Sequence, residues 1–186
     1  MKQDFAYLLH FVPDLLKFKT LLYIGARPGD GKKSVRMNHV RRFLKAGYKV
    51  DILEVWPPNV EFIREWNAAN GEPLREIIEG DVRELSAKEE YDVVMFWHGP
   101  EHVPKEDLKK VLDSMVVASK EIAVIGCPLG EYVQGDYQGN PYEEHLIYCQ
   151  PDDFISLGWK TIHIAKDNIN GDGNIMAWFR KEENVR

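Results

Sequence analysis

Cysteine is scarce: Cys127 and Cys149 are the two thiols in 186 residues. That excludes a disulfide-stapled scaffold. Both lie among apolar or aromatic neighbours, which suits small buried hydrophobes in a reducing compartment rather than a bridge or a metal pair. No apolar run reaches membrane-spanning length. The first residues mix Phe5, Leu8 and Leu9 with His10, Pro13 and Asp14 and show no small-residue cleavage site. No signal peptide is therefore expected, and the cytoplasm is the expected location. An excess of positive charge is also missing: 24 Lys and Arg stand against 30 Asp and Glu, a net charge of -6. That disfavours a sequence-independent nucleic-acid binder, which needs a basic face. Internal repeats, low-complexity stretches and linkers are absent from the sequence, and its length suits one domain with its own core.

What is present alternates between strand and helix. Thr20–Ile24 is a short buried strand ended by Gly25, and a glycine-rich turn follows over 25–34. Val40, Phe43 and Leu44 recur at helical spacing, with Gly47 as the stop. Val50–Val55 is a second strand. Pro57 and Pro58 open a helix carrying Val60, Phe62, Ile63 and Trp66. Ile77 and Ile78 form a short strand ending at Gly80 and Asp81. Tyr91–Trp97 is the clearest buried strand. The helix after Pro104 places Leu108, Val111, Leu112 and Met115 on one face. Glu121–Cys127 is the fifth strand, and a long loop runs over 128–140. Asn140, Pro141 and Glu143 suit an N-cap, a first helical turn and a capping-box partner. A short helix over Pro151–Leu157 precedes two strands, Thr161–Ala165 and Ile175–Phe179, which should pair as an antiparallel hairpin around Asn170–Asn174. Residues 1–19 add a helix or arm outside the sheet, and 20–186 form the main α/β domain. Strands alternating with helices predict a mostly parallel seven-stranded sheet with helices on both faces and a C-terminal antiparallel hairpin.

In such a sheet a ligand sits beyond the carboxyl ends of the strands, where strand order reverses. Four places there carry chemistry. The first is GARPGDG, where Gly25, Ala26, Arg27, Gly29 and Gly31 let backbone approach a ligand. It is neither a P-loop nor the dinucleotide pattern: Gly25 to Gly31 is one residue too long, Lys32 is followed by Lys33, and Ser34 replaces the third glycine. The second is Glu54, followed by Val55, where a carboxylate can accept from two ribose hydroxyls. The third is Asp81-Val82, an acceptor for an exocyclic amine beside an apolar wall. The fourth is Trp97-His98-Gly99-Pro100-Glu101-His102. His98, Glu101 and His102 match the H-x-x-E-H pattern, but Gly99-Pro100 prevents the helix that pattern needs. No metal site is expected from it. His98 is read instead as a cleft residue able to accept a proton, and His102 as a structural hydrogen-bonding residue.

These places together resemble the class I S-adenosylmethionine-dependent methyltransferases, over nearly the whole chain after residue 19. YIGARPGDG is similar to the family's first motif, Glu54 stands at its ribose acid, Asp81-Val82 at its adenine site, and FWHGPEHV at its post-strand-four motif, with Trp97 and His98 beside the cofactor. GEYVQGDYQGNPYEEH, over 130–145, resembles a subgroup of methyltransferases of unassigned acceptor. The resemblance implies a Rossmann-like fold, S-adenosylmethionine as cofactor and transfer of its methyl group to a small-molecule or glycan-type acceptor. The implied proton acceptors are His98 first and His145 second; Glu144 and Asp136 reach the cleft if the 128–141 loop folds over it. Tyr132, Tyr137 and Tyr142 would then line an acceptor pocket. Two departures stand out. Tyr23 replaces a common acidic residue, and the glycine loop is longer and carries Arg27 and Pro28. They support the alternative of a non-catalytic binding module with the same fold. An Asn/Asp-Pro-Pro-Tyr motif, the mark of base methylation after strand four, is not there. The sequence is silent on oligomeric state.

Overall fold

A computed structural model describes residues 2–26, 35–69, 73–86, 90–164 and 173–181. Its elements in chain order are α1 (Lys2–Phe11), β1 (Thr20–Ile24), α2 (Val35–Lys45), β2 (Lys49–Glu54), α3 (Pro57–Ala69), β3 (Glu76–Glu79) and β4 (Tyr91–Trp97). There follow α4 (Lys105–Ala118), β5 (Ser119–Pro128), α5 (Pro151–Ile155), β6 (Lys160–Ile164) and β7 (Asn174–Arg180). The strands form one sheet in the order β3-β2-β1-β4-β5-β7-β6. The first five pair in parallel. β7 runs antiparallel between β5 and β6. The hairpin predicted from the sequence is therefore present, although its turn lies outside the described residues. Strand order reverses between β1 and β4, which puts the topological switch point there.

Alternation along the strands divides the core into two layers. Leu21, Tyr23, Met95 and Trp97 face Leu8, Val12, Leu15, Val40, Phe43 and Ile63. Leu22, Ile24, Val94 and Phe96 face Leu108, Val111, Leu112, Met115 and Phe154. Cys127 and Cys149 are free thiols buried in the second layer. Among the described residues no helix is long and apolar enough to cross a membrane.

The N-terminal segment is part of this core. α1 ends at Phe11, before Pro13, as a residue sequence leading into proline dictates. Leu8, Val12 and Leu15 are fully buried. Arg180 on β7 donates to both carboxylate oxygens of Asp14, at 3.0 and 2.7 Å. Those hydrogen bonds are the first cause of an Asp14 pKa below the ordinary 3.8. Asp92 is also lowered: burial pushes it up, but the N–H groups of Lys19 and Thr20, at 2.8 and 3.0 Å, outweigh that. A carboxylate depressed in the folded state stabilises it above the unfolded pKa, and the gain disappears as pH falls through the folded value. Urea midpoints should therefore drop between about pH 5 and about pH 3, and Asp92→Asn should flatten that slope.

A buried carboxylate ties β2 to β4. Asp51 is fully buried and accepts from Arg75 Nε at 2.8 Å and from the Tyr91 hydroxyl at 2.9 Å. Burial, then Asp51, raises the Tyr91 pKa far above its ordinary value, so the hydroxyl stays a donor. Arg75→Met takes both guanidinium hydrogen bonds from that charge and should cost about 3 kcal/mol in urea unfolding; Tyr91→Phe should cost about 1 kcal/mol.

Candidate functional site

The carboxyl ends of β1, β2, β3 and β4 surround a cleft of about 240 Å³. Its near wall is Ile24, Gly25, Leu53, Glu54 and Val55, and its floor includes Phe96. Gly25 holds a left-handed φ of 68°, and its N–H donates to Leu53 O at 2.9 Å. That turn lifts the chain off the sheet at the switch point. Gly80 N–H donates to Glu54 O at 3.0 Å, which brings the loop after β3 beside β2.

Glu54 is 4% exposed, yet its side chain borders the cleft. Its Oε1 accepts from Trp56 N–H at 3.0 Å. A carboxylate taken so far out of water at the rim of a cavity is poised to accept further donors from whatever fills it. Asp81 and Val82 also line the cleft. Asp81 caps a single helical turn over Val82–Glu84 and accepts from Arg83 N–H at 2.8 Å and from its Nη2 at 2.6 Å. Burial pushes its pKa up, but the Arg83 hydrogen bonds win and hold it low, so it is an anion at neutral pH.

Other residues named from the sequence sit elsewhere. Ala26 is fully buried and Trp97 is 3% exposed, and both belong to the core layer under α2. The Trp97 ring packs edge-on to His39 at 5.4 Å and covers Gly126, where a Cβ would come within 2.7 Å of the indole. Burial lowers the His39 pKa to about 3, so this imidazole is neutral, and its Nδ1 lies 3.3 Å from the Tyr23 hydroxyl. Tyr23 is thus a core residue held by α2. Arg27, Gly29 and Gly31 lie outside the described residues.

His98 lines the cleft. It adopts a left-handed φ of 50°, fixed by its N–H donating to Gly126 O at 2.7 Å. Its Nδ1 stands 3.4 Å from Glu101 Oε1. The helical turn begins only at Pro100 and ends at His102, so His98 precedes it.

The far wall comes from the loop after β5. Its chain is tied to the turn after β4 by Leu146 N–H and Ile147 N–H donating to Glu101 O at 2.8 and 3.3 Å. Gln134 Nε2 donates to Glu143 O at 2.7 Å and His145 N–H to Gln134 O at 2.9 Å. Asn140, Pro141, Tyr142, Glu143 and Leu146 thereby close the cleft. Asn140 caps the turn through Tyr142 N–H at 3.0 Å. The capping box expected from the sequence is replaced, because the Glu143 side chain turns inward, 4% exposed, with Oε2 4.0 Å from His102 Nε2. His145 is set behind this wall, its ring 4.9 Å from His102 and 5.2 Å from Tyr132. Glu144 and Asp136 are exposed. Glu143, Leu146 and Arg83 were not among the expected cleft residues: Leu146 begins a short apolar run, Leu146-Ile147-Tyr148-Cys149, with no mark of which member meets the cleft, and nothing in the sequence marks Glu143 as buried.

No protein-family model and no curated protein sequence matches the chain. Solved structures do. A SAM-dependent methyltransferase from Archaeoglobus fulgidus superposes with a TM-score of 0.65 at 15% identity, covering 96% of this chain and 93% of that one. The chain has a methyltransferase fold. The magnesium protoporphyrin IX methyltransferase of Synechocystis PCC 6803 with bound SAM gives a TM-score of 0.58 at 14% identity, over 94% of this chain and 76% of that one. A Zn-dependent alcohol dehydrogenase from Rhodobacter sphaeroides reaches 0.54 at 16% identity, but over 67% of this chain and 46% of that one. The methyltransferase matches thus span the chain nearly end to end, where the dehydrogenase match covers a part.

Proposed function

We propose that the protein is a methyltransferase that binds S-adenosylmethionine in this cleft and methylates a small-molecule acceptor. The observation that carries the reading is Glu54, a buried carboxylate at the carboxyl end of β2, bordering a cleft at the switch point of a methyltransferase fold. The bound sulfonium supplies an electrophilic methyl group. Glu54 accepts from the ribose hydroxyls. Leu53, Val82 and Phe96 give the adenine an apolar slot. Asp81 accepts from its exocyclic amine beside Arg83. His98 faces the cleft with a carboxylate behind its Nδ1, which suits it to take the acceptor's proton. The walls from Tyr142 and Leu146 favour a small organic acceptor. A glycan-type acceptor remains within this reading, with its sugar hydroxyl presented at the same place. Two buried free thiols fit a reducing, cytoplasmic setting.

Calorimetric titration tests this. S-adenosylmethionine and S-adenosylhomocysteine should bind once per chain in the micromolar range, with NAD and ATP at least about a hundredfold weaker. Equal or tighter binding of NAD overturns the cofactor assignment. On an acceptor found by screening for S-adenosylhomocysteine release, His98→Gln should lower kcat by about 10²-fold with cofactor affinity unchanged. Full turnover in that variant removes His98 from the chemistry.

A further inference from the structure

At the far wall of the cleft, two chain segments bring metal-ligating groups together. Glu101, His102 and His145 each present one ligating atom, and these atoms lie within 4.8 Å of one another. We propose that this cluster is a binding site for a divalent first-row transition metal, with Zn²⁺ as the type ion.

The two imidazoles are set for it. His102 Nδ1 lies 2.9 Å from Glu144 O, and His145 Nδ1 lies 2.7 Å from Tyr132 O. A carbonyl can only accept, so each Nδ1 carries a proton, which leaves Nε2 as the ligating nitrogen of the neutral ring. A backbone carbonyl fixing the tautomer and orientation of a histidine is the arrangement metal-bound histidines use. Glu101 is 2% exposed, and His98 Nδ1 stands 3.4 Å from its Oε1, longer than an ordinary hydrogen bond. An anion so placed is costly unless a cation meets it. The Glu143 carboxylate, 4% exposed, lies 4.0 Å from His102 Nε2 and adds a second negative group on the same side. A dipositive ion held by Glu101, His102 and His145 would place a cation against the buried Glu101 carboxylate.

The ligands are also held in place. Glu101 O accepts from the N–H groups of Leu146 and Ile147, which locks the loop carrying His145 onto the turn carrying Glu101 and His102. Ligands at about 2.1 Å around a tetrahedral ion stand about 3.4 Å apart, so metal binding must draw these atoms, within 4.8 Å of one another here, closer together. Two histidines and one carboxylate form a zinc ligand set with one position left open, and imidazole disfavours Mg²⁺ or Ca²⁺. His102 and Glu143 also line the cleft, so the open position looks toward it. The H-x-x-E-H pairing of His98 with His102 is not the set used; His145, from a distant part of the chain, completes it.

The test uses the full chain, stripped with a chelator and titrated with Zn²⁺ by calorimetry and with Co²⁺ by visible absorption. One ion per chain should bind with Kd below about 1 μM, raise the melting temperature, and give a Co²⁺ spectrum without thiolate charge transfer. Glu101→Gln and His145→Asn should each weaken binding by at least about a hundredfold. A Cys127→Ala/Cys149→Ala variant should bind like the parent, which separates this site from the buried thiols. Absence of saturable binding by the parent up to about 100 μM overturns the proposal. So does unchanged affinity in both ligand variants, or loss in the cysteine variant. The parent titration needs no mutant to fold. With no S-adenosylmethionine in the cell, its result is independent of the methyltransferase reading.

Discussion

Glu54→Gln is expected to weaken S-adenosylhomocysteine binding by about ten- to a hundredfold while leaving the melting temperature nearly unchanged. The glutamine keeps the shape and a carbonyl oxygen for Trp56 N–H, which donates to Glu54 Oε1 at 3.0 Å in the parent. What it loses is charge. Hydrogen bonds to an ionised group contribute about 1.5–3 kcal/mol, against about 1 kcal/mol for neutral pairs. Two ribose hydroxyls meeting an amide in place of a carboxylate lose the difference, and every 1.4 kcal/mol is about tenfold. Calorimetry on parent and variant reads it. Equal affinities would remove Glu54 from the ribose and with it the main support for where the cofactor sits.

Gly99→Ala should be the most destabilising single change at the site, at about 3 kcal/mol in urea unfolding. Its backbone is at an ordinary negative φ of -139°, so the cost is not conformational. A Cβ there would lie 1.9 Å from Cε2 and 2.0 Å from Cδ2 of Phe96. Phe96 is 6% exposed, packed in the second core layer and part of the cleft floor. To make room the ring must leave its pocket, which opens a cavity on one side and blocks the cleft on the other. Cofactor binding should therefore fall together with stability. A variant as stable as the parent would mean that the turn after β4 adapts freely.

The strands and the switch point were legible because each is a short apolar run closed by glycine, proline or a charge. Glu54 was legible for the same reason: a carboxylate at the carboxyl end of Lys49–Glu54, just before Trp56-Pro57-Pro58, stands where a strand meets a ligand. Side-chain parity was not used, and it matters at β4. Val93, Met95 and Trp97 share one face, Val94 and Phe96 the other. Trp97 follows the strand toward the ligand in sequence, but its ring turns into the layer under α2, and Phe96 reaches the cleft instead. Tyr23 is similar. Its position is where an acidic residue would meet the ligand, yet its hydroxyl pairs with His39 in the core.

The far wall was only half legible. The length of the loop and its Asn140-Pro141 start mark a built structure, and Asn140 does cap a turn. That this turn lies against Glu101 and His102 depends on hydrogen bonds between main-chain groups of two distant segments, such as Leu146 N–H to Glu101 O. Main-chain pairing of that kind leaves no residue-type signal. The same pairing buries Glu143 and Glu101, two residues whose type argues for solvent.

The most direct test is a crystal structure of the protein with S-adenosylhomocysteine. The ribose hydroxyls should lie within hydrogen-bonding distance of the Glu54 carboxylate, with the adenine between Leu53 and Val82 and the sulfur turned toward His98. A ligand bound elsewhere, or one whose ribose contacts another residue and not Glu54, would contradict the account.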